Sequence, residues 1–381
     1  FFHAEDAIRD RSPSRGLGDV YKRQPALLLD LGAFERNLDK MARAIEGQSV
    51  QLRPHSKSHK CPVIGLAQMK RGAVGLCCQK VGEAEAMVAG GVLNVLVSNQ
   101  IVGRSKLIRL AALSKQAEWI GVCADHPDNV EQLNEAAAAM GTTLNVLVEI
   151  DTGAARCGVA PGQPAIDLAK QIDSLKNLNF AGLQAYQGRA QHIRSYTDRK
   201  TAADAGVALT RQTVDRLRGV GLECEIVGGA GTGTFQFEAA GGVHNELQAG
   251  SYVFMDADYG KNLNEESGFF DDFENSLFVY VTVMSAPTQD RALVDAGLKA
   301  LAMDSGPPFV ADMPKVAFGR ASDEHGILDL SETNGEVSLG DKLKLIPGHC
   351  DPTVNLYDWY VGFRGNHVEA LWPITARGML R

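Results

Sequence analysis

The chain has 381 residues, 45% of them hydrophobic, with 38 Lys plus Arg against 46 Asp plus Glu and a net charge of −8. Such a length supports a large buried core and about two domains, while the acidic balance and the lack of a Lys/Arg-rich run argue against a nucleic-acid partner. Its apolar runs fall short of the roughly 20 residues that cross a bilayer, and seven cysteines without a C-x-x-C pair imply reduced thiols and a cytoplasmic setting.

Residues 1–24 are polar and aperiodic, and no apolar segment follows their positive charges. They are expected to be a non-native or disordered leader rather than a targeting signal. The apolar run at 25–31 reads as a strand that pairs with a later β domain. From 50 to 250, short β-branched runs alternate with amphipathic stretches, the pattern of βα units around a parallel sheet. Eight strands are expected, at 50–53, 73–78, 95–98, 119–124, 144–150, 180–185, 223–227 and 245–248. Helical periodicity predicts helices at 62–71, 81–89, 105–115, 130–140 and 201–219. Eight such units predict an α/β fold with a TIM (β/α)8 barrel over 32–255. A doubly wound sheet is the alternative, but Arg53-Pro54-His55-Ser56-Lys57 stands where its glycine-rich first turn belongs. Beyond 256 the texture becomes strand and turn, with strands expected at 276–284, 291–295, 343–346 and 359–363, so 256–381 reads as a mainly β domain.

A TIM barrel builds its site from the loops at the carboxyl ends of its strands, and commonly binds phosphate after strands seven and eight. Gly228-Gly229-Ala230-Gly231-Thr232-Gly233-Thr234 and Gly250-Ser251 fall at those two positions. A glycine run alone is as readily a plain turn, and its position is what favours phosphate. A phosphate there implies a phosphorylated substrate or pyridoxal phosphate (PLP), and PLP chemistry needs a lysine on the same barrel face. Lys57, after the first strand, is that lysine. Near the end of the chain, His349-Cys350-Asp351 follows a strand, and in an extended segment side chains two apart face one ion. A surface turn is the competing reading of the same residues.

The segment Arg53-Pro54-His55-Ser56-Lys57-Ser58-His59-Lys60-Cys61-Pro62 resembles the cofactor-lysine motif of the D-threonine aldolase and D-serine dehydratase family of alanine-racemase-like PLP enzymes. The resemblance extends through Cys77-Cys78-Gln79-Lys80, Val148-Glu149-Ile150-Asp151, Arg156-Cys157-Gly158-Val159, Glu246-Leu247-Gln248-Ala249-Gly250-Ser251-Tyr252 and Asp323-Glu324-His325-Gly326. It covers the chain from about residue 25 onward and implies a barrel plus a β domain in a homodimer acting on a small D-amino acid. It implies Lys57 as the residue carrying PLP, with Gln79, Arg156, Tyr186, Gly231, Thr232, Gly250 and Ser251 as cofactor contacts. Arg156 is expected near the cofactor ring, whereas Tyr186 is either a ring contact or a packing residue at the barrel mouth. The position after Tyr186, often His in the family, is Gln187 here. The resemblance also makes His349 and Asp351 the ligands of a divalent metal. Dehydratase-like members carry His-x-Cys and zinc, and aldolase-like members carry His-x-Asp. The N,O pair favours Mn²⁺ or Mg²⁺, with Zn²⁺ as a further option, and Cys350 in place of Asp351 stays open as a ligand.

The activity so implied is cleavage of D-3-hydroxy amino acids, taking D-threonine to glycine and acetaldehyde, with His192 or His59 as the base. Either histidine is equally well structural. The alternative is a dehydratase giving a keto acid and ammonia, against which Asp351 speaks. A non-catalytic PLP-binding protein lacks a second β domain, and a racemase wants a second base that is not identifiable here.

Overall fold

Strand alternation accounts for the barrel. Leu76, Cys78, Val95, Val97, Val122, Ala124, Val146 and Val148 cluster with helix residues such as Leu110 and Leu133. Their neighbours Cys77, Leu96, Cys123 and Leu147 cluster with one another in the interior, as the two-residue period of a strand requires. The computed structural model describes Arg15–Gly16 and residues 24–381 apart from 334. In it Gln51–Leu52, Leu76–Cys78, Asn94–Gln100, Trp119–Ala124, Leu144–Glu149, Leu178–Ala185, Ile226–Gly229 and Glu246–Leu247 form one eight-stranded parallel sheet. The eighth strand pairs with the first. Closure comes from a parallel bridge between His55 and Cys77, with Val74 donating to the Leu52 carbonyl and Cys77 to that of Pro54, both at 2.9 Å.

The observed helices include Pro62–Met69, Val81–Ala89, Arg104–Leu113, Pro127–Met140, Gln163–Ser174 and Tyr196–Gly219. Two local devices tune the barrel. A register shift between the fifth and sixth strands falls at Gly182, whose φ is +133° and whose Cβ would stand 1.9 Å from the Ile226 carbonyl. Only glycine fits so close an approach, and beyond the bulge Gln184 stands opposite both Glu149 and Gly228. The seventh strand runs to Gly229, two residues past the expected end. Position 228 in this strand needs glycine, because a Cβ there would lie 2.5 Å from the Gln248 amide. A glycine pair that reads as a loop is here a strand that leaves space for its neighbours' side chains.

The molecule divides into two compact units: Asn37–Glu274 with Ile374–Arg381, which holds the barrel, and the described residues up to Arg36 with Asn275–Pro373. The second unit is a ten-stranded sheet. Six of its strands close on themselves in the order Leu277–Thr288, Arg291–Val294, Gly326–Asp329, Ala317–Ala321, Phe309–Val310 and Lys342–Ile346, the last pairing again with the first. Ala26–Asp30 lies between Leu277–Thr288 and Trp359–Arg364, antiparallel to one and parallel to the other. Most of the expected leader, 1–14 and 17–23, lies outside the described residues. Among those described, no helix is long and apolar enough to cross a membrane, and all seven cysteines are free thiols.

Candidate active site

Past the first strand the chain enters a single 3-10 turn, Ser56–Ser58, which carries Lys57. His55 caps it, its Nδ1 accepting the Lys57 backbone N–H at 3.5 Å. Buried Glu83, in the first turn of Val81–Ala89, ties this turn to the next loop. One of its oxygens accepts from Ser56 Oγ at 2.7 Å and the other from the Gln79 N–H at 2.8 Å. His55 Nε2 meets Ser98 Oγ at 3.1 Å and the Gln79 amide at 2.8 Å. Burial pushes the His55 pKa well below its ordinary value, and Lys57, His59, Arg156 and Lys60 add to the shift. The ring is therefore neutral at physiological pH.

Below this layer, Arg53 and Glu246 form a buried ion pair at 2.8 Å, and the Arg53 guanidinium stacks over Trp119 at 4.8 Å. Gln184 and Gln248 clasp each other through two hydrogen bonds of 2.7 and 3.0 Å. Above them opens a cavity whose wall includes Lys57, Gln79, Arg156, Tyr186, Gly231, Thr232, Gly250 and Ser251, with His55, Ser58, Ser98 and Tyr259. The loops after six different strands thus meet at one mouth. Arg156 stacks over Tyr186 at 5.5 Å and reaches toward Glu149 at 3.7 Å. Thr232 Oγ1 accepts the Tyr252 N–H at 3.0 Å, joining the loops after strands seven and eight. Gly250 has no space for a side chain, since a Cβ would stand 2.9 Å from both His55 Cβ and Ser58 Oγ. Gln187 is a brace, its amide donating to the Thr152 carbonyl at 2.8 Å.

The two candidate bases do not line this cavity. His59 is fully buried, and its Nδ1 accepts the Cys61 N–H at 3.1 Å. His192 lies one ring away: it packs on Tyr259 with centroids 5.0 Å apart, and its Nδ1 is 2.6 Å from Asp258 Oδ2. A second cavity shares Thr232 and is lined by Tyr196, Arg199, Phe235 and Asp272 among others. Its guanidinium is committed to the carbonyls of Gly233, Ile193, Arg194 and Leu263. No lysine lines it.

In the β unit, His349 is extended, but Cys350–Val354 is a short helix that His349 caps. Asp351 therefore stands in a first helical turn, and the strand-like alternation expected of the His-x-Asp motif is not its geometry. His349 Nδ1 pairs with Asp304 Oδ2 at 2.7 Å and lies 3.4 Å from Ser305 Oγ. Burial works to raise the Asp304 carboxyl, but the hydrogen bond and charge of His349, with hydrogen bonds from Ser305 and the backbone, together outweigh this and hold it below the ordinary range. Among the described residues, no group of three or more His, Cys, Asp or Glu side chains is arranged to hold a metal.

Sequence reasoning missed three residues that this geometry makes prominent. His55 was legible, since it alternates with buried Arg53 along the extended segment that continues the first strand. Asp258 and Asp304 lie 66 and 45 positions from their histidines and carried no local signal.

Residues 29–258 match the alanine racemase N-terminal domain, and residues 276–363 the putative serine dehydratase domain. The chain is 45% identical to the 3-hydroxy-D-aspartate aldolase of Paracoccus denitrificans (strain Pd 1222), over 95% of this chain and 94% of that one. It is 44% identical to a D-threonine aldolase of an Arthrobacter species, over 94% and 93%. Its backbone matches the crystal structure of D-threonine aldolase from Filomicrobium marinum with a TM-score of 0.92, at 49% identity over 97% of this chain and all of that one.

Proposed function

The chain belongs to the alanine racemase N-terminal domain family and is an aldolase-type lyase, and from that premise we propose that it cleaves D-3-hydroxy amino acids, taking D-threonine to glycine and acetaldehyde. The observation that carries this reading is the cavity at the barrel mouth, where a lysine, two glycine-bearing loops and an arginine-capped tyrosine meet. Lys57 would hold PLP through its amine. The main chain of Gly231 and Gly250 and the hydroxyls of Thr232 and Ser251 would receive the phosphate, and Tyr186, Arg156 and Gln79 would flank the ring. Two features support the fit. Gly250, where a Cβ would stand 2.9 Å from His55 Cβ and Ser58 Oγ, lets the main chain pass against the turn that carries Lys57, and Ser58 Oγ is a buried hydroxyl without a hydrogen-bond partner that faces the cavity. When bound, PLP supplies an electron sink for the pair released as Cα–Cβ breaks.

The chain's own residues have separate tasks. Neutral His55 fixes the turn that presents Lys57 without adding charge beside it. The Gln184–Gln248 pair closes the cavity floor and keeps water from entering through the barrel. His192 would take the proton of the substrate's 3-hydroxyl, so that a carbonyl forms as the bond to Cα breaks and Cα takes up a proton to become glycine. His349 and Asp351 would hold a divalent ion, Mn²⁺ or Mg²⁺ by donor chemistry. Asp304 on His349 Nδ1 suits that role, because a carboxylate there fixes the tautomer of a ligating imidazole. A bound ion lowers the pKa of a coordinated hydroxyl. A cytoplasmic homodimer completes the proposal.

One assay tests it. Enzyme stripped with EDTA and resupplied with PLP and single metals is given D-threonine, L-threonine and 3-hydroxy-D-aspartate. Glycine and an aldehyde from the D-substrates, only after metal is restored, are expected. A keto acid with ammonia, or turnover of L-threonine alone, would overturn the reading.

A further inference from the structure

His192 ends the short turn Arg189–His192 after the sixth strand. Its ring packs on Tyr259, which is itself part of the cavity wall. Nδ1 is 2.6 Å from Asp258 Oδ2, and Asp258 is largely buried, its side chain 10% exposed. The second oxygen of the same carboxylate receives the Arg194 guanidinium. That guanidinium also donates to the Asp258 carbonyl at 2.7 Å and to Asn262 Oδ1 at 2.8 Å. We propose that Asp258, clamped by Arg194, is the positioning residue for His192, holding its Nδ1–H so that Nε2 presents the lone pair that accepts the substrate's hydroxyl proton. The inference rests on the reading of His192 as the base and adds two residues to it.

The geometry favours this over a plain structural ion pair. An Arg–Asp clamp needs both carboxylate oxygens for a two-point contact. Here Arg194 spends part of its fork on the Asp258 carbonyl and Asn262 instead, and one oxygen is given to the imidazole. A carboxylate on Nδ1 selects the tautomer with its lone pair on Nε2 and stabilises the imidazolium that forms. The two flanking charges oppose each other: Asp258 makes protonation of His192 easier, and Arg194 makes it harder. The other charged or titratable groups on the elements around the ring are Asp256, whose Oδ1 accepts the Tyr259 N–H at 2.9 Å, with Tyr259 and Lys261 on the Asp258 segment, Arg189 on its own turn, and Arg199. Arg199 spends its donors on the backbone carbonyls of Ile193 and Arg194.

The test is the pH dependence of kcat/KM for D-threonine, read as acetaldehyde release from enzyme saturated with PLP and Mn²⁺. Activity falls on the acid side as the base becomes protonated. His192→Gln should lower the rate by about 10²- to 10⁴-fold. Asp258→Asn should cost about tenfold or more in kcat, with KM less affected, and move the acid limb down by about one pH unit. Arg194→Met should move that limb up. Titration of ¹³C-labelled histidines by NMR follows His192 directly, with His192→Gln assigning the resonance, so an inactive Asp258→Asn protein is still informative. In it, a lowered His192 pKa supports the inference and an unchanged one overturns it. If His192→Gln is inactive while Asp258→Asn leaves both the acid limb and the resonance unmoved, the role of Asp258 falls and the base survives. Near-native turnover by His192→Gln removes the base, and the inference with it.

Discussion

The barrel unit and the β unit assemble their candidate chemistry differently. In the barrel, cavity side chains from loops as far apart in sequence as Lys57 and Tyr259 are brought together by a closed ladder, so each loop's place follows from its strand's place in the order. In the β unit, His349 and Asp351 belong to one turn and the added partner Asp304 comes from a separate turn, with no strand order that predicts the pairing. Closure therefore makes a barrel site readable from topology, while a site on turns depends on contacts that only the fold reveals.

The sharpest way to break this division of labour is Lys57→Ala. It should remove the visible absorption of lysine-bound PLP and lower aldol cleavage by about 10⁴-fold or more, as loss of a covalent group does. A yellow, active variant would end the assignment. His349→Ala should have the opposite signature, with cofactor absorption retained and metal-dependent turnover down by on the order of 10²-fold. Asp304→Ala should weaken the metal by about 10-fold or more through the same imidazole. Loss of PLP absorption on mutating His349 would mean that the two regions do not divide the work in this way.

The same contrast sets what was readable in the sequence. The fourth strand, Trp119–Ala124, and the helix Val81–Ala89 agree with the expected bounds, because alternation and a 3.6-residue period leave their mark on sequence. Gly228 and Gly229 escaped because glycine in a strand is explained only by what stands opposite, here Gln248 and the Ala185 carbonyl. The helix at Cys350 escaped because five residues carry no period. The loops after strands seven and eight were found by position alone, and Asp258 was not, since nothing near residue 258 signals a histidine at 192.

Stability experiments sharpen the comparison further. In the barrel, Glu246→Gln leaves Arg53 buried without its carboxylate and should cost about 3–5 kcal/mol in denaturant unfolding. Glu238, also in the barrel unit, should give a pH-dependent effect. Burial pushes its carboxyl up to about 8, opposed by a hydrogen bond from Thr234, and its Oε2 has no hydrogen-bond partner. An acid whose pKa is raised by folding binds its proton more tightly when folded. The stability linked to it is fully present below the ordinary carboxylate pKa and is lost as pH rises through about 8. Glu238→Gln should flatten that decline, so the gap in melting temperature between variant and native protein should widen in the variant's favour from about pH 5 to about pH 9. A constant gap would mean that Glu238 titrates normally.

The smallest effect is expected from the same kind of ion pair in the other unit. Arg364 meets Glu35 at 2.6 Å and Glu369 at 3.1 Å, with side chains about 40% exposed. The hydrogen bond that Arg364 donates to Glu35 raises the guanidinium pKa, but water and salt screen a pair this open, and holding three long side chains together costs conformational entropy. Glu35→Gln should therefore change unfolding free energy by about 1 kcal/mol or less, and the change should shrink further at about 1 M salt. Glu246→Gln should keep most of its cost in the same salt, because ions do not reach the barrel interior. Equal costs for the two variants would mean that burial does not govern the strength of these pairs. A salt-sensitive Glu246→Gln would mean instead that water reaches Arg53 through the barrel floor, and the water-excluding role of the Gln184–Gln248 clasp would fall with it.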